Sequence, residues 1–284
     1  MEKEVLQENS KEKKFWKIIN NIKKIKIQGA NNIAKAGIEA FLLFPDKKHA
    51  KEILSTRPTE PLLQNFIKIL LKSKNPEKTA KMLFQYTENS QNSINREGLT
   101  LIKDEMKIYT HCHSSSVIEL LKYAKKKGKK FSVYTAEVAP LYQGRMTAKD
   151  LAKEGIVVYV TPDLSAENFL KKCDLFLFGA DAYTRKYIYN KIGTNTLVKI
   201  ASLYNVPSYS VGFTLKYTRN VKLEKRSGKE VWNEKNPLIN VEYYSFDKIK
   251  GRSVTGIICE SGILPYRIFR KVAKRNLREL KSFL

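Results

Sequence analysis

The sequence predicts an α/β protein: a helical N-terminal domain over residues 1–105, then a mostly parallel sheet with helices on both faces over residues 106–284. Three observations carry this. Up to about residue 105, apolar residues recur at helical spacing. After Asp104, short runs of β-branched and aromatic residues alternate with helical patterns, which is the mark of βαβ units. The hydrophobic fraction, 42% over 284 residues, is enough to bury a core.

Phe15, Ile18, Ile19, Ile22 and Ile25 mark the first helix, and Ile33, Ile38, Phe41 and Leu42 the second. Leu62, Leu63, Phe66, Ile67, Leu70 and Leu71 mark a third. A fourth runs from about Pro76 to Asn95, with proline in its first turn, where the missing N–H costs nothing. Pro45, Pro58 and Pro61 punctuate the connections. The strands are expected at Lys107–Thr110, Phe131–Thr135, Ile156–Thr161, Leu175–Phe178, Ser208–Gly212 and Thr255–Ile258. Helices are expected near Ser116–Lys127, Thr147–Lys153, Ser165–Lys171, Thr194–Tyr204 and Pro265–Leu280. The polar segment Asn220–Asn240 breaks the alternation and reads as a mobile loop.

Fifty-three Lys and Arg against 28 Asp and Glu give a formal net charge of +25. The excess is mostly lysine and is spread along the whole chain. That pattern fits the compositional bias of a genome, so a nucleic-acid partner is not expected. No apolar run approaches the roughly 20 residues of a membrane span. The N-terminus, MEKEVLQENSKEKK, lacks the apolar core of a signal peptide. The expectation is a cytoplasmic protein with no membrane partner. Cys112, Cys173 and Cys259 form no CxxC, which excludes zinc ribbons and redox dithiols. The three histidines, His49, His111 and His113, offer no metal cluster, so no metal is expected.

Ligands of parallel sheets sit at the carboxyl ends of strands. The first strand ends in THCHSSSVIELL, where Ser114, Ser115 and Ser116 open a helix. Hydroxyls and free N–H groups there would cradle an anion. A Cys112 thiol at that positive end would ionise readily and serve as base or nucleophile. The alternative is a small buried filler beside three N-capping serines. The fourth strand ends in LFLFGAD. Gly179 would let a ligand approach the backbone, and a partly desolvated Asp181 would suit general acid work or simply cap the next turn. Asn190 and Lys191 lead into KIGTNTL, a further candidate anion site. Lys216 follows the fifth strand; a lone lysine at such a place is usually solvated.

The motifs THCHS, LYQGRMTAKDLA, FGAD, NKIGTN and CESGILP, in that order and spacing, resemble one superfamily. It joins ribose-1,5-bisphosphate isomerase, methylthioribose-1-phosphate isomerase and the regulatory subunits of eukaryotic translation initiation factor 2B. The resemblance covers about residues 25–270. It implies a helical N-terminal domain on a Rossmann-like domain and assembly into homodimers or larger oligomers, up to a hexamer. With STRPT at Ser55–Thr59 and both Cys112 and Asp181 retained, the chain looks most similar to the archaeal ribose-1,5-bisphosphate isomerases, enzymes of AMP salvage. The resemblance implies that Cys112 is the base-like residue and Asp181 the acid. It implies that Gln28, Gly29, Ala30, Asn31, Arg57, Asn190, Lys191, Lys216 and the serines 114–116 hold phosphates and sugar hydroxyls. No cofactor is implied.

The chain departs from the isomerase pattern at several places. Gln28–Gly29–Ala30, followed by Asn31, stands where the isomerases carry Arg-Gly-Ala, and Glu137–Val138–Ala139–Pro140 where they carry Glu-Thr-Arg-Pro. Glutamine donates hydrogen bonds but carries no charge, so a phosphate clamp is weaker. Arg185 or Lys186, in place of an Asn-Gly turn after GAD, would compensate by charge. These losses leave an alternative: a non-catalytic relative of the initiation-factor subunits that binds a sugar phosphate or nucleotide.

Overall fold

The computed structural model describes residues 2–223 and 226–282. Its elements run in chain order as α1 (Glu2–Lys23), α2 (Ala30–Leu43), α3 (Lys47–Thr56), α4 (Pro61–Leu70), α5 (Pro76–Leu99), β1 (Met106–His111), α6 (Ser115–Lys126), β2 (Phe131–Ala136), α7 (Gln143–Ala152), β3 (Val157–Thr161), α8 (Ala166–Leu170), β4 (Leu175–Gly179), β5 (Ala182–Tyr183), β6 (Tyr187–Lys191), α9 (Thr194–Leu203), β7 (Ser208–Val211), β8 (Phe246–Lys250), β9 (Gly256–Cys259), β10 (Gly262–Leu264) and α10 (Tyr266–Ser282). All six expected strands are present. Three features were not expected: α3, the edge strand β10, and a small antiparallel sheet of β5, β6 and β8. Ile25 lies beyond the end of α1 with φ +57°.

The main sheet has the order β10-β9-β7-β4-β1-β2-β3; only β10 runs antiparallel. The chain builds outward from β1 through β2 to β3, then returns to place β4 on the other side of β1. The gap between β1 and β4 is therefore the topological switch point, where open α/β sheets bind ligands.

Alternate side chains leave opposite faces of a strand, and the core divides accordingly. Ile108, Val133, Leu175, Leu177 and Ile258 join one apolar cluster with α6 and the N-terminal helices, including Phe15, Phe41 and Phe66. Tyr109, Phe176, Phe178 and Ile257 join a second cluster with residues of α8, α9 and α10. Both faces of β4 are thus covered, and every residue of LFLFG is buried. The helical half of the chain is continuous with one face of the sheet, through α5 on α6 and on β9.

Candidate active site

In the register of β1 on β4, His111 lies opposite Phe178. Cys112 and Asp181 therefore leave two neighbouring strands at the switch point, and both line one cavity of about 90 Å³. Cys112 holds φ +67°, a left-handed conformation that strains a residue with a Cβ by roughly 1–3 kcal/mol. Val138 and Tyr142 are also left-handed, in the β2–α7 loop that brings Leu141 to the same cavity. The Thr147 hydroxyl donates to the Cys112 carbonyl at 2.9 Å, and His113 Nδ1 lies 3.1 Å from that hydroxyl oxygen. A hydroxyl already donating to a carbonyl can only accept from His113, which places the imidazole proton on Nδ1.

Burial pushes the Cys112 thiol up to about 12, the negative charge of Asp181 adds to the shift, and Lys191 opposes it. The expectation of a thiolate at the positive end of a helix is thereby reversed. Desolvation and a neighbouring carboxylate outweigh a helix end that offers only partial charge. His113, also in the cavity wall, is driven by burial below its ordinary value.

Gln28, Gly29, Arg57 and Lys191 share this cavity with the pair. Arg57 follows α3 and is 9% exposed; its Nη2 donates to Glu60 Oε1 at 3.2 Å. Lys191, buried at the end of β6, donates to the Tyr243 hydroxyl and lies 5.0 Å from that ring's centre.

Other expected residues lie outside the cavity wall. Ala30 is buried in the first turn of α2. Asn31 and Ser115 line a separate surface cavity beside α5. Ser114 begins α6 without a side-chain cap, and a Cβ on Gly179 would stand 2.4 Å from its hydroxyl. Gly179 thus lets β4 pass the start of α6, where a ligand contact was expected. Ser116 is buried against α5, its carbonyl accepting from Gln91. Asn190 is buried and donates to Thr194 Oγ1 at 3.0 Å, tying β6 to α9. Lys216 is not solvated: it is 5% exposed and donates to the Ala180 carbonyl at 2.7 Å. Burial lowers its pKa, and the charges of Glu60 and Asp181 oppose that. It braces the peptide immediately before Asp181.

Arg185 and Lys186 sit in the exposed β5–β6 turn and line a different cavity, so they do not replace the missing arginines. Arg226 does reach the candidate site, from within the segment read as a loop, and pairs with Glu230 at 2.5 Å. Sequence reasoning also missed Glu60, Gln143, Tyr243, Ser245 and Phe246 in the wall. Only Glu60, next to the STRPT motif, carried any local signal. Three cations and two carboxylates converge here, an arrangement suited to orienting a small anion and moving protons beside it.

The match to the initiation factor 2 subunit family spans residues 26–266. A ribose 1,5-bisphosphate isomerase of Methanocaldococcus jannaschii is 31% identical over 274 residues, covering 86% of this chain and 89% of that protein. A putative translation initiation factor eIF-2B subunit 2-like protein of Pyrococcus furiosus is 33% identical over 270 residues, covering 88% and 96%. The crystal structure of the Pyrococcus horikoshii translation initiation factor eIF-2B superposes with a TM-score of 0.79 at 26% identity, over 88% of this chain and 96% of that one. The match takes in the whole switch point, from Gln28 through Cys112 and Asp181 to Phe246, and on this ground the chain belongs to the initiation factor 2 subunit family.

Proposed function

We propose that the chain is a sugar-phosphate aldose–ketose isomerase that converts ribose 1,5-bisphosphate to ribulose 1,5-bisphosphate. The observation that carries this reading is the pairing of Cys112 with Asp181 across one cavity that also holds Arg57 and Lys191. The name of the Methanocaldococcus relative supports the substrate.

Opening a ribose phosphorylated on C1 breaks the bond from C1 to the ring oxygen, and that oxygen must gain a proton. The aldose-to-ketose shift moves hydrogen from C2 to C1, and the C2 hydroxyl loses its proton as the ketone forms. One proton is given and one is taken, so the pair keeps its proton count, but the proton moves from donor to acceptor and must pass back to the donor before the next turnover. With the thiol raised to about 12, Cys112 is the proton donor and the Asp181 carboxylate the acceptor. The roles are exchanged relative to those the sequence suggested. Arg57 and Lys191 hold the phosphates, whose binding energy is remote from the reacting carbons. Lys216 keeps Asp181 in place through the Ala180 carbonyl.

Self-association belongs to the same reading. Val157, Tyr159 and Val160 on the edge strand β3 are 58%, 47% and 45% exposed, a concentration of apolar surface suited to a second copy.

The test is turnover. Purified chain incubated with ribose 1,5-bisphosphate should give the ketose by carbon and phosphorus NMR. A second reading rests on Gln28, which puts an uncharged amide in the wall: a regulatory protein that binds the sugar phosphate without converting it. Binding without turnover, unchanged in Cys112→Ser, would favour that reading.

A further inference from the structure

Arginine is scarce in this chain: 11 residues against 42 lysines. Six of the eleven line two adjoining surface cavities of about 650 Å³ each. Arg252, Arg267 and Arg270 line the first, Arg219 and Arg278 the second, and Arg185 is shared by both. Four lysines complete the lining and no carboxylate belongs to it. A compositional bias toward lysine spreads charge over a surface; it does not gather the rare arginines in one groove.

The groove is built, not incidental. Tyr266, buried at the start of α10, has its hydroxyl 2.9 and 2.8 Å from the carbonyls of Thr184 and Tyr187, which share its one proton. Arg270 Nη1 donates to the Arg185 carbonyl at 3.1 Å. The β5–β6 turn is thereby pinned to α10. Among the described residues none of the six arginines forms an ion pair, so their guanidinium N–H groups, apart from the Arg270 Nη1 donor held by the Arg185 carbonyl, are available to phosphate oxygens. Arg267, Arg270, Lys274 and Arg278 share one face of α10. At 1.5 Å per residue they form a row about 16 Å long.

The length of that row decides the ligand class. A single phosphate would engage one end of it. A polynucleotide strand presents its phosphates in succession, so it can follow the whole row and meet several of them. A two-fold contact between copies of this chain would set the same positive face against itself, which argues against an oligomer interface here. We propose that this arginine groove binds the phosphate backbone of a single-stranded polynucleotide, without base readout. The proposal reverses the expectation drawn from net charge alone and is independent of the isomerase reading.

Fluorescence anisotropy of a labelled oligouridine of about 20 nucleotides, titrated with the full chain across about 50–300 mM salt, tests it. The triple variant Arg252→Ala, Arg267→Ala, Arg278→Ala should lose at least about tenfold in affinity at low salt. Its log–log salt slope should shrink by about 2, from about 0.7 per phosphate contact. All three side chains are exposed, so folding is expected to persist, checked by thermal melting. The control Lys125→Ala, Lys126→Ala, Lys130→Ala removes the same charge from another exposed surface and should bind within about threefold of wild type. Equal losses in both triples, no binding by wild type at the lowest salt, or preference for polyglutamate over RNA would overturn the proposal. So would a change in subunit number, by light scattering, in the arginine triple alone.

Discussion

Two regions of the chain gather cations on opposite electrostatic plans. At the switch point, cations and carboxylates interleave: Arg57 pairs with Glu60, Arg226 pairs with Glu230, and Lys191 and Asp181 act on Cys112 with opposite sign. In the groove beside α10, the lining charge is of one sign and its arginines form no ion pair among the described residues; the helix's Arg275–Glu279 pair is not part of the lining. Mixed charge at low dielectric fixes the orientation of one small ligand and sets proton affinities. Charge of one sign in water gives attraction that is long-ranged, tolerant of ligand shape and erased by salt. Net charge cannot tell these plans apart; the partners of each cation do.

The largest expected effect separates the two regions outright. Cys112→Ser and Asp181→Asn should each lower turnover of ribose 1,5-bisphosphate by about two orders of magnitude or more, the usual scale for a lost proton donor or acceptor. The arginine triple of the groove should leave turnover within about twofold. Comparable losses from both sets would merge the regions that the structure keeps apart.

Next comes ligand holding. Arg57→Ala removes a buried, charge-assisted donor, so KM should rise about tenfold or more with a smaller change in kcat. A fall in kcat alone would place Arg57 among the proton-moving groups. Tyr243→Phe deletes one neutral hydroxyl that accepts from Lys191, and a rise in KM of only about fivefold is expected.

The smallest effect concerns pH. Burial holds the His111 and His113 pKa values below the ordinary 6.5, so these rings stay neutral in the folded protein while the unfolded chain takes up protons. Stability should therefore be full above about pH 6.5 and decline as pH falls below it. Melting temperatures recorded from pH 8 to 5 should show that decline; a flat profile would mean that the rings titrate normally.

What could be read from the sequence follows from how strands are buried. LFLFG is covered on both faces, so it is apolar throughout and conspicuous. In β6 and β8, YIYNK and FDKIK mix apolar and polar residues over five positions, and β5 has two residues, too few for any periodicity. The helix α3 was hidden because KKHAKEILST buries only Ala50, Ile53 and Thr56. At the site, Asp181 stood out because it follows an apolar strand, and Cys112 because it lies between a strand end and the serines that open a helix. Tyr243 and Arg226 did not, because a polar loop brings them to the cavity from far along the chain. The charge state of Cys112 was misread for a physical reason: its position at a helix start is visible in sequence, whereas its burial beside a carboxylate exists only in the fold.

The central claim is that the resting proton of the pair lies on the sulfur of Cys112. Alkylation by iodoacetamide, followed by peptide mass spectrometry across pH, measures it directly, since only thiolate reacts. Cys112 should be nearly inert at pH 7–8 and gain reactivity only toward its value of about 12, with Asp181→Asn shifting that rise to lower pH. Rapid labelling of Cys112 at neutral pH, unchanged in Asp181→Asn, would contradict the account and return the role of base to the thiolate.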